Sequence, residues 1–384
     1  MPETAFPPQP IAAWRRAVLK VGSSLLAAEG GGLSTRHALG LAEFVAACHR
    51  AGREVVLVSS GAVAAGRAIV RGSASGAELA ARQALAALGQ TQMVALWQRF
   101  FDRPVAQVLL THDDLRNRRR YLNARATLHE LLRLGALPVV NENDTVAVDE
   151  LKLGDNDNLA AIVAALVDAD VLFIATDIDG LYSADPRSVA EARPIAMVEA
   201  VTPAVLAMAG GAGSSVGTGG MRTKLEAATK AAAAGIETCL FNGTRAEVLR
   251  DLAGDRLCGT RFRAGAERLQ ARKYWLRHAP AAVGHIEIDA GAVRALGAGR
   301  ASLLPGGIVE VQGEFMRGDL VEVARRERDG LRPVARGIVQ YGAAEIRRIA
   351  RRHTREIAEL LGYSYGENVI HRDDLVLLAT KIPA

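Results

Sequence analysis

The sequence predicts an α/β fold, in which helices cover both faces of a parallel sheet, followed by a small β-rich domain. The first observation is that short apolar runs alternate with helical patterns from Ala17 to about Phe262, as in βαβ units. The second is a change after Phe262 to short alternating segments with closely spaced Gly and Pro, typical of a small barrel-like domain. A chain of 384 residues is long enough to give each domain its own core.

Six apolar runs rich in Val, Ile and Leu predict the buried parallel strands of the first domain. In chain order they are Ala17–Val21, Glu54–Val58, Val105–Leu110, Leu137–Asn141, Val171–Thr176 and Glu237–Phe241. Helical patterns cover Thr35–Ala51, Gly76–Phe101, Tyr121–Leu134, Asn156–Val167 and Met221–Ala234. Ligands of such folds bind beyond the carboxyl ends of the strands, so the polar residues that follow each strand are the candidate site.

Shorter alternating segments predict the strands of the second domain. They are His285–Asp289, Ser302–Leu304, Gly307–Gln312, Asp319–Ala324 and Pro333–Val339, and a helical pattern over Ala344–Leu360 closes the domain.

Composition indicates a soluble protein of a reducing compartment, which we expect to be cytoplasmic. Apolar residues make up 49% and charged residues 23% of the chain, as in ordinary globular proteins. Cys48, Cys239 and Cys258 are too few and too scattered for a disulfide framework or a structural zinc site. The proline-rich residues 1–13 predict a disordered tail rather than a signal peptide, and no apolar run approaches the ~20 residues that span a membrane.

The positive charge of the chain is confined to its C-terminal third. Residues 263–384 hold 20 of the 47 basic and 15 of the 42 acidic side chains, which accounts for the whole net charge of +5. A nucleic-acid surface is one interpretation. A solvated helix face is the other, and the arginine pairs Arg347–Arg348 and Arg351–Arg352 favour it because few aromatic residues accompany them.

The glycine-rich segment Gly217–Lys224 predicts an anion site. Its glycines lead directly into a helical pattern, so backbone N–H groups and the helix dipole would face a bound anion. Lys224 falls in the first helical turn, where a cation is unfavourable unless a negative group lies beside it. The spacing differs from that of P-loop enzymes. The alternative is a flexible loop before a surface helix.

Polar groups also follow the first two strands. Lys20 lies near the end of the first strand with Gly22 just beyond it, so its ammonium group would lie over a turn that a phosphate could enter. Ser59, Ser60 and Gly61 follow the second strand. Their hydroxyls suit either a substrate carboxylate or the N-cap of the next helix, and Lys20 alone could be a surface lysine.

Short polar side chains are concentrated after the fourth strand, in Asn141–Asp144 and Gly154–Asn158. Burying them without partners would be costly, and helix capping explains only one or two of them. Carboxylates that pair an ammonium and amides that donate to a carboxylate suit an α-amino acid. Calcium is disfavoured, because the glycine and the terminal glutamate of an EF-hand loop are missing.

Thr176 and Asp177 end the fifth strand, where a hydroxyl and an acid can hold the base or the ribose of a nucleotide. The alternative is an ordinary polar turn that Asp185–Pro186 initiates.

These motifs, in this order, resemble the bacterial glutamate 5-kinase branch of the amino-acid kinase family. The matching motifs are Lys20–Ser24, Ser59–Arg67, Asn141–Asp144, Gly154–Leu159, Thr176–Asp177 with Gly180–Arg187, and Gly217–Lys224. The segments Leu303–Ile308, Gly362–Gly366 and His371–Asp374 resemble the PUA domain that longer members append. The resemblance covers nearly the whole chain except the first dozen residues.

The resemblance implies a three-layer αβα sandwich with a small C-terminal β-rich PUA domain. The expected divisions are a kinase domain over 14–262, a linker over 263–281, the PUA domain over 282–367 and a C-terminal tail over 368–384.

The implied activity is the phosphorylation by ATP, with Mg²⁺ bridging its phosphates, of the γ-carboxylate of L-glutamate, the first step of proline biosynthesis. The implied catalytic residues are Lys20 and Lys224, which contact the transferred phosphate, and Asp157, which holds the two lysines. Ser60, Asp144 and Asn156 would bind glutamate. The implied ATP-binding residues are Lys20, Thr176, Asp177, Thr218, Gly219, Gly220, Met221, Arg222, Thr223 and Lys224, and no protein side chain is expected to be a main metal ligand.

The resemblance also implies partners: proline as a feedback inhibitor, glutamyl-phosphate reductase as the downstream enzyme, and a homodimer or homotetramer. RNA binding by the PUA domain stays open, and the basic segment Arg116–Arg120 has no assigned role. The alternatives are a sibling kinase that acts on carbamate, aspartate, acetylglutamate or UMP, and an RNA-binding regulatory protein.

Overall fold

The computed structural model describes residues 6–28, 32–70, 78–116, 118–147, 156–189, 191–209, 220–265, 282–298, 301–327 and 330–378. The chain divides into two compact units. The first holds Met1–Arg116 and Asn123–Ala266, and the second holds Asn117–Leu122 and Glu267–Ala384.

An eight-stranded sheet forms the centre of the first unit. Its strands are β2 (Arg16–Val21), β3 (Glu54–Ser59), β4 (Val105–Leu110), β5 (Leu137–Glu142), β6 (Val171–Thr176), β7 (Met197–Val198), β8 (Glu237–Asn242) and β10 (Gly259–Phe262), in the order β4-β5-β3-β2-β6-β8-β10-β7. All six strands that the sequence predicts are present, and each pairs in parallel with its neighbours among the six. Their carboxyl ends therefore meet at one edge of the sheet.

Helices cover both faces of this sheet. The helices in this part of the chain are α1 (Ala38–Arg50), α2 (Ala62–Ile69), α3 (Leu79–Gln98), α4 (His112–Arg116), α5 (Arg118–Arg133), α6 (Asn156–Leu166), α7 (Pro203–Met208), α8 (Met221–Ala233) and α9 (Ala246–Ala253), of which α7 buries no side chain. Side chains of α1, α3 and α9 share one buried core with the sheet. Helices α6 and α8 pack together and against the strands. The three-layer αβα sandwich is confirmed.

The two-residue period of strand β2 places its functional side chain. Leu19 and Val21 lie in the core that contains α1, whereas Lys20 between them reaches Asp157 of α6. A lysine with an apolar residue on either side of it is therefore buried next to a carboxylate.

Sequence patterns missed several short elements of the first unit, among them β7, β10, α4, α7 and α9. Strand β10 runs antiparallel to β8, so the sheet is mixed at this end. Four residues with a glycine at the start carry too little periodicity to separate from a loop.

The prediction that residues 1–13 form a disordered tail is wrong for its second half. Phe6 is fully buried, and its ring packs edge-to-face against Tyr182 with the ring centres 5.2 Å apart. Strand β1 (Gln9–Pro10) pairs with β9 (Arg256–Leu257), and the Gln9 amide donates to two carbonyl oxygens. Distant residues supply these contacts, so composition alone could not reveal them.

A five-stranded sheet forms the second unit, in the order β12-β11-β13-β14-β15. The strands are β11 (His285–Ile288), β12 (Ile308–Gln312), β13 (Leu320–Glu327), β14 (Gly330–Ile338) and β15 (Leu375–Leu377), and the helices are α10 (Ala290–Gly297), α11 (Ala343–Ile349) and α12 (Ile357–Leu361). The unit has its own apolar core. Leu122, near the start of α5, belongs to this unit and forms a separate small apolar cluster with Ile338 and Val376.

Three predictions for this unit need correction. The single helix over Ala344–Leu360 is broken between α11 and α12, where Arg351 adopts a left-handed backbone with φ of 62°. The predicted strand Ser302–Leu304 is only a bridge from Leu303 to Ile370. The predicted tail over 368–384 is wrong for its first part, because Val369 and Ile370 are fully buried and β15 pairs with β14.

The predicted linker over 263–281 lies largely outside the described residues, and the remaining domain boundaries stay predictions. Within the described parts of the chain, no helix has the length and apolar character needed to cross a membrane. Cys48, Cys239 and Cys258 are buried and unpaired.

Candidate active site at the carboxyl edge of the sheet

Two lysines and one aspartate form a buried charged centre. The Lys20 ammonium lies 2.8 Å from Oδ1 of Asp157, and the Lys224 ammonium lies 3.2 Å from Oδ2 of the same carboxylate. All three side chains are at most 6% exposed. The lysines come from β2 and α8, and Asp157 lies in the first turn of α6. The centre therefore carries one net positive charge in a region of low dielectric, which suits an anionic ligand.

The electrostatics of Asp157 fix its charge. Burial by itself raises the pKa of this carboxyl, but the two lysines and the hydrogen bonds from Lys20 and Thr223 lower it to about 2. Burial lowers the pKa of Lys224, Lys20 acts in the same direction, and Asp157 opposes both. Asp157 is thus an anion at neutral pH, and its negative charge opposes the lowering of the Lys224 pKa.

The N-terminus of α8 adds backbone donors beside this centre. Gly220 is the N-cap residue of α8, and it has no side chain that could accept a hydrogen bond from the first backbone N–H groups of the helix. The Thr223 hydroxyl lies 2.7 Å from Oδ2 of Asp157, which ties the first turn of α8 to α6. The Arg222 side chain is 80% exposed and pairs with Glu226 at 3.1 Å. Only the backbone of Arg222 is therefore placed at the helix N-terminus.

A chain of side-chain amides lies beside the charged centre. Asn156 donates one N–H to Oγ of Ser60 at 2.8 Å and the other to Oδ1 of Asn141 at 2.9 Å. Asn141 in turn donates to Oε1 of Gln90 at 2.9 Å. Four separate elements meet here because β3, β5 and α6 all have ends at this edge and α3 packs behind them. Burial and mutual hydrogen bonds fix the orientation of each amide.

Asp144 follows β5 in a turn. Burial raises the pKa of its carboxyl to about 6, against a smaller lowering by Arg82 of α3. This carboxyl therefore changes charge in a range of pH that is accessible to activity measurements.

A second polar group surrounds the end of β6. Thr176 is buried, and its hydroxyl donates to Oδ1 of Asp177 at 3.1 Å. Asn242, at the end of β8, donates to Oδ1 of Asp179 at 2.8 Å, and Arg245 lies 3.4 Å from the same oxygen. These groups offer donors and acceptors of the kind that hold a ribose or a base.

The structure brings the predicted residues together in three groups, namely Lys20 with Asp157, Thr223 and Lys224, then Ser60 with Asn156, and finally Thr176 with Asp177. Thr218 and Gly219 lie outside the described residues. Sequence reasoning missed Gln90 and Asn242. Asn242 could have been found by applying the strand-end rule to β8, whereas Gln90 lies within a helix and only its burial reveals it.

Within the described ranges, no three His, Cys, Asp or Glu side chains cluster in a way that could hold a metal ion. The cationic centre and the N-terminus of α8 suit the phosphates of a nucleotide, which themselves bind Mg²⁺.

Comparison with known proteins assigns the two units to families. The model of the Amino acid kinase family matches residues 15–242, and the PUA domain model matches residues 284–361. The glutamate 5-kinase of Xanthomonas campestris pv. campestris (strain 8004) is 74% identical over 362 residues, which cover 94% of this chain and all of that protein. The glutamate 5-kinase of Xylella fastidiosa (strain M23) is 68% identical over 379 residues, covering 98% of this chain and 99% of the relative.

A solved UMP kinase from Bacillus anthracis covers 66% of this chain and 98% of its own, with 15% identity and a TM-score of 0.47. A likeness at that level adds nothing to the family assignment.

Proposed function

The chain belongs to the amino acid kinase family, and we propose that it transfers the γ-phosphate of ATP to the γ-carboxylate of L-glutamate, the first step of proline biosynthesis. The observation that carries the proposal is the buried Lys20–Asp157–Lys224 centre beside an amide chain suited to an amino acid. The comparisons give no support to a sibling kinase activity or to an RNA-binding regulatory protein.

The chemistry needs cations rather than a base. The side-chain carboxyl of glutamate has a pKa of ~4.3, so the nucleophile is already an anion at neutral pH. The barrier is the approach of this anion to a negatively charged phosphoryl group. Phosphoryl transfer is accelerated mainly by positioning and by positive charge around the transferred group. Lys20, Lys224 and the N-terminus of α8 supply that charge, and nucleotide-bound Mg²⁺ would add to it.

The proposed role of Asp157 is to hold the two lysines in place, without contacting the phosphate itself. Its two oxygens hold one lysine each, so the ammonium groups stay close together despite their mutual repulsion. It leaves a net charge of +1, which the negative charge that develops on the transferred group offsets.

Glutamate recognition falls to Ser60, Asn156 and Asp144. In this proposal the carboxylate of Asp144 pairs the α-ammonium of the substrate, and Ser60 and Asn156, which are hydrogen-bonded to each other, bind its other polar groups. On the nucleotide side, Thr176, Asp177 and the segment Thr218–Lys224 hold ATP. Asn242 extends this group of nucleotide contacts.

A substrate panel tests the activity. ADP release is measured with L-glutamate, L-aspartate, carbamate, N-acetylglutamate and UMP, and the acyl phosphate is trapped with hydroxylamine. We expect ADP and hydroxamate in equal amounts with glutamate alone. Faster ADP release with any other member of the panel would contradict the proposal.

The further proposals concern regulation and context. We infer a cytoplasmic enzyme that assembles as a homodimer or homotetramer and passes its product to glutamyl-phosphate reductase.

Proline carries an ammonium and a carboxylate in the same relative positions as glutamate, so we expect it to compete with glutamate at a site that overlaps the loop Val146–Gly154, which follows the polar cluster Asn141–Asp144 in the sequence. Only Val146 and Ala147 of that loop are among the described residues. Proline should raise the apparent KM for glutamate and leave kcat unchanged. The measurement is initial rates over a grid of both concentrations, and purely noncompetitive inhibition would rule out the shared site.

A further inference from the structure

Gln90 is a buried polar side chain that the proposed mechanism leaves without a role. It is 7% exposed and lies on α3, behind the edge at which the strands end. Its Oε1 accepts the hydrogen bond from Asn141, and its Nε2 has no hydrogen-bond partner among the described residues. Gln90 therefore acts as the acceptor for Asn141 at the end of the amide chain.

The acceptor at Gln90 sets the direction of every hydrogen bond beyond it. Because Asn141 must offer its N–H to Gln90, its oxygen faces Asn156. Asn156 must therefore offer N–H as well, and it gives its second N–H to Ser60. In the part of the chain that the structure describes, Oδ1 of Asn156 then accepts no hydrogen bond and the Ser60 hydroxyl proton has no acceptor on a side chain.

The two ends of the amide chain match the two charged groups of an α-amino acid. The oxygen of Asn156 is an acceptor for an ammonium group, and the hydroxyl of Ser60 is a donor for a carboxylate. If the chain ran in the opposite direction, Asn156 would present a donor to the ammonium, which is repulsive.

Helix packing holds Gln90 in place. Gly89 lies against the start of α2, where a Cβ on Gly89 would come 1.9 Å from the Ala62 carbonyl oxygen. Two turns further along α3, the Trp97 indole donates to the Ser59 hydroxyl at 2.9 Å. Helix α3 therefore anchors the amide chain at Gln90 and the Ser59–Ser60 turn at Trp97.

We propose that Gln90 is a positioning residue that fixes the direction of the Asn141–Asn156–Ser60 hydrogen bonds and so makes the site selective for an α-amino acid. The inference rests on the proposed function, since it assumes that Ser60 and Asn156 bind glutamate. Glutarate, which has the γ-carboxylate but no α-ammonium, is the probe for this selectivity.

The test compares Gln90→Met, which keeps the volume and removes the acceptor, with Gln90→Glu, which keeps an acceptor. Gln92→Met, an exposed position of the same helix, is the matched control. The measured quantity is the ratio of kcat/KM for L-glutamate to that for glutarate, together with the KM for ATP. We expect Gln90→Met to lower the ratio about tenfold, the scale of one hydrogen bond to a charged group, with the KM for ATP within about twofold.

Gln90→Glu and Gln92→Met should keep the ratio within about threefold of the unmodified protein. An unchanged ratio in Gln90→Met, or an equal loss in Gln90→Glu, would overturn the inference. If Gln90→Met does not fold, Gln90→Glu alone tests the inference. A fall in its ratio of kcat/KM for L-glutamate to that for glutarate, with an unchanged KM for ATP, would overturn the inference. No glutamate-dependent hydroxamate from the unmodified protein would instead overturn the proposed function itself.

Discussion

Asp157 shows how much of the site depends on single side chains. One carboxylate accepts two lysines and a threonine hydroxyl, and these partners come from β2 and α8. A buried pair contributes little net stability, but removing one partner leaves an uncompensated charge. The centre is therefore better explained by its use on a phosphate than by its contribution to folding.

Lys224→Ala removes one of the two ammonium groups of the buried charged centre. We expect kcat to fall at least ~100-fold, the scale for loss of one preorganised charge-stabilising group, with little change in the KM for glutamate. Lys230→Ala, at an exposed position of the same helix, is the control. Steady-state kinetics check both, and a kcat within a few-fold of the unmodified enzyme would remove Lys224 from the mechanism.

Asp144 predicts a pH dependence of glutamate binding. With its pKa raised to about 6, the carboxyl is mostly ionised at pH 7 and mostly protonated at pH 5. The KM for glutamate should therefore rise about tenfold as pH falls from 7 to 5, while the γ-carboxyl of the substrate, with pKa ~4.3, stays mostly ionised. Initial rates across this range test it. Asp144→Asn should have a high KM that no longer changes with pH, and the KM for ATP should stay flat in both proteins.

Among the elements, helices α2 and α3 illustrate how packing sets the site. Glycines at 66 and 89 let the two helices touch through their backbones, because a Cβ at either position would lie 1.9 Å from a carbonyl oxygen of the partner helix. Ser60 lies just before the start of α2, and Gln90 directly follows the contact residue Gly89 in α3. A separation of these helices would move both residues.

Gly89→Ala should therefore destabilise the protein despite the better helix propensity of alanine. We expect a loss of about 3 kcal/mol in the free energy of unfolding, the upper range for overpacking a close contact. Thr91→Ala, exposed on the same helix, should change stability by less than about 0.5 kcal/mol. Chemical denaturation of both variants measures the difference, and equal midpoints would show that the helices separate without cost.

For the whole molecule, the main feature is the separation of two cores. The first unit holds every described residue of the candidate site, and the second unit has its own core around strands β11 to β15. The segment Asn117–Leu122 interrupts the sequence of the first unit but belongs to the second, where Leu122 packs beside Ile338 and Val376.

A chain that ends at Gly265 should keep glutamate kinase activity. Its kcat should stay within about threefold, because the site residues all precede that position, but its melting temperature should fall by a few degrees as Leu122 loses its apolar partners. The shortened chain also exposes the Leu122 side chain to solvent, so Leu122→Gln in that chain should reduce its aggregation. A folded but inactive shortened chain would show that the second unit contributes to catalysis.

The local pattern of the chain was sufficient for the six parallel strands, for the long helices α1, α3, α5, α6 and α8, and for most of the polar residues at the strand ends. Apolar periodicity and strand-end chemistry are encoded within a few neighbouring residues, so Lys20, Asn156 and Thr176 could be located without coordinates. Tertiary contacts decided the remainder. Phe6 packs against Tyr182, Gln90 is hydrogen-bonded to Asn141, and Val369 is buried in a segment that was predicted to be a tail. In each case the deciding partner is distant in sequence, and burial against such a partner leaves no periodic trace in the neighbouring residues.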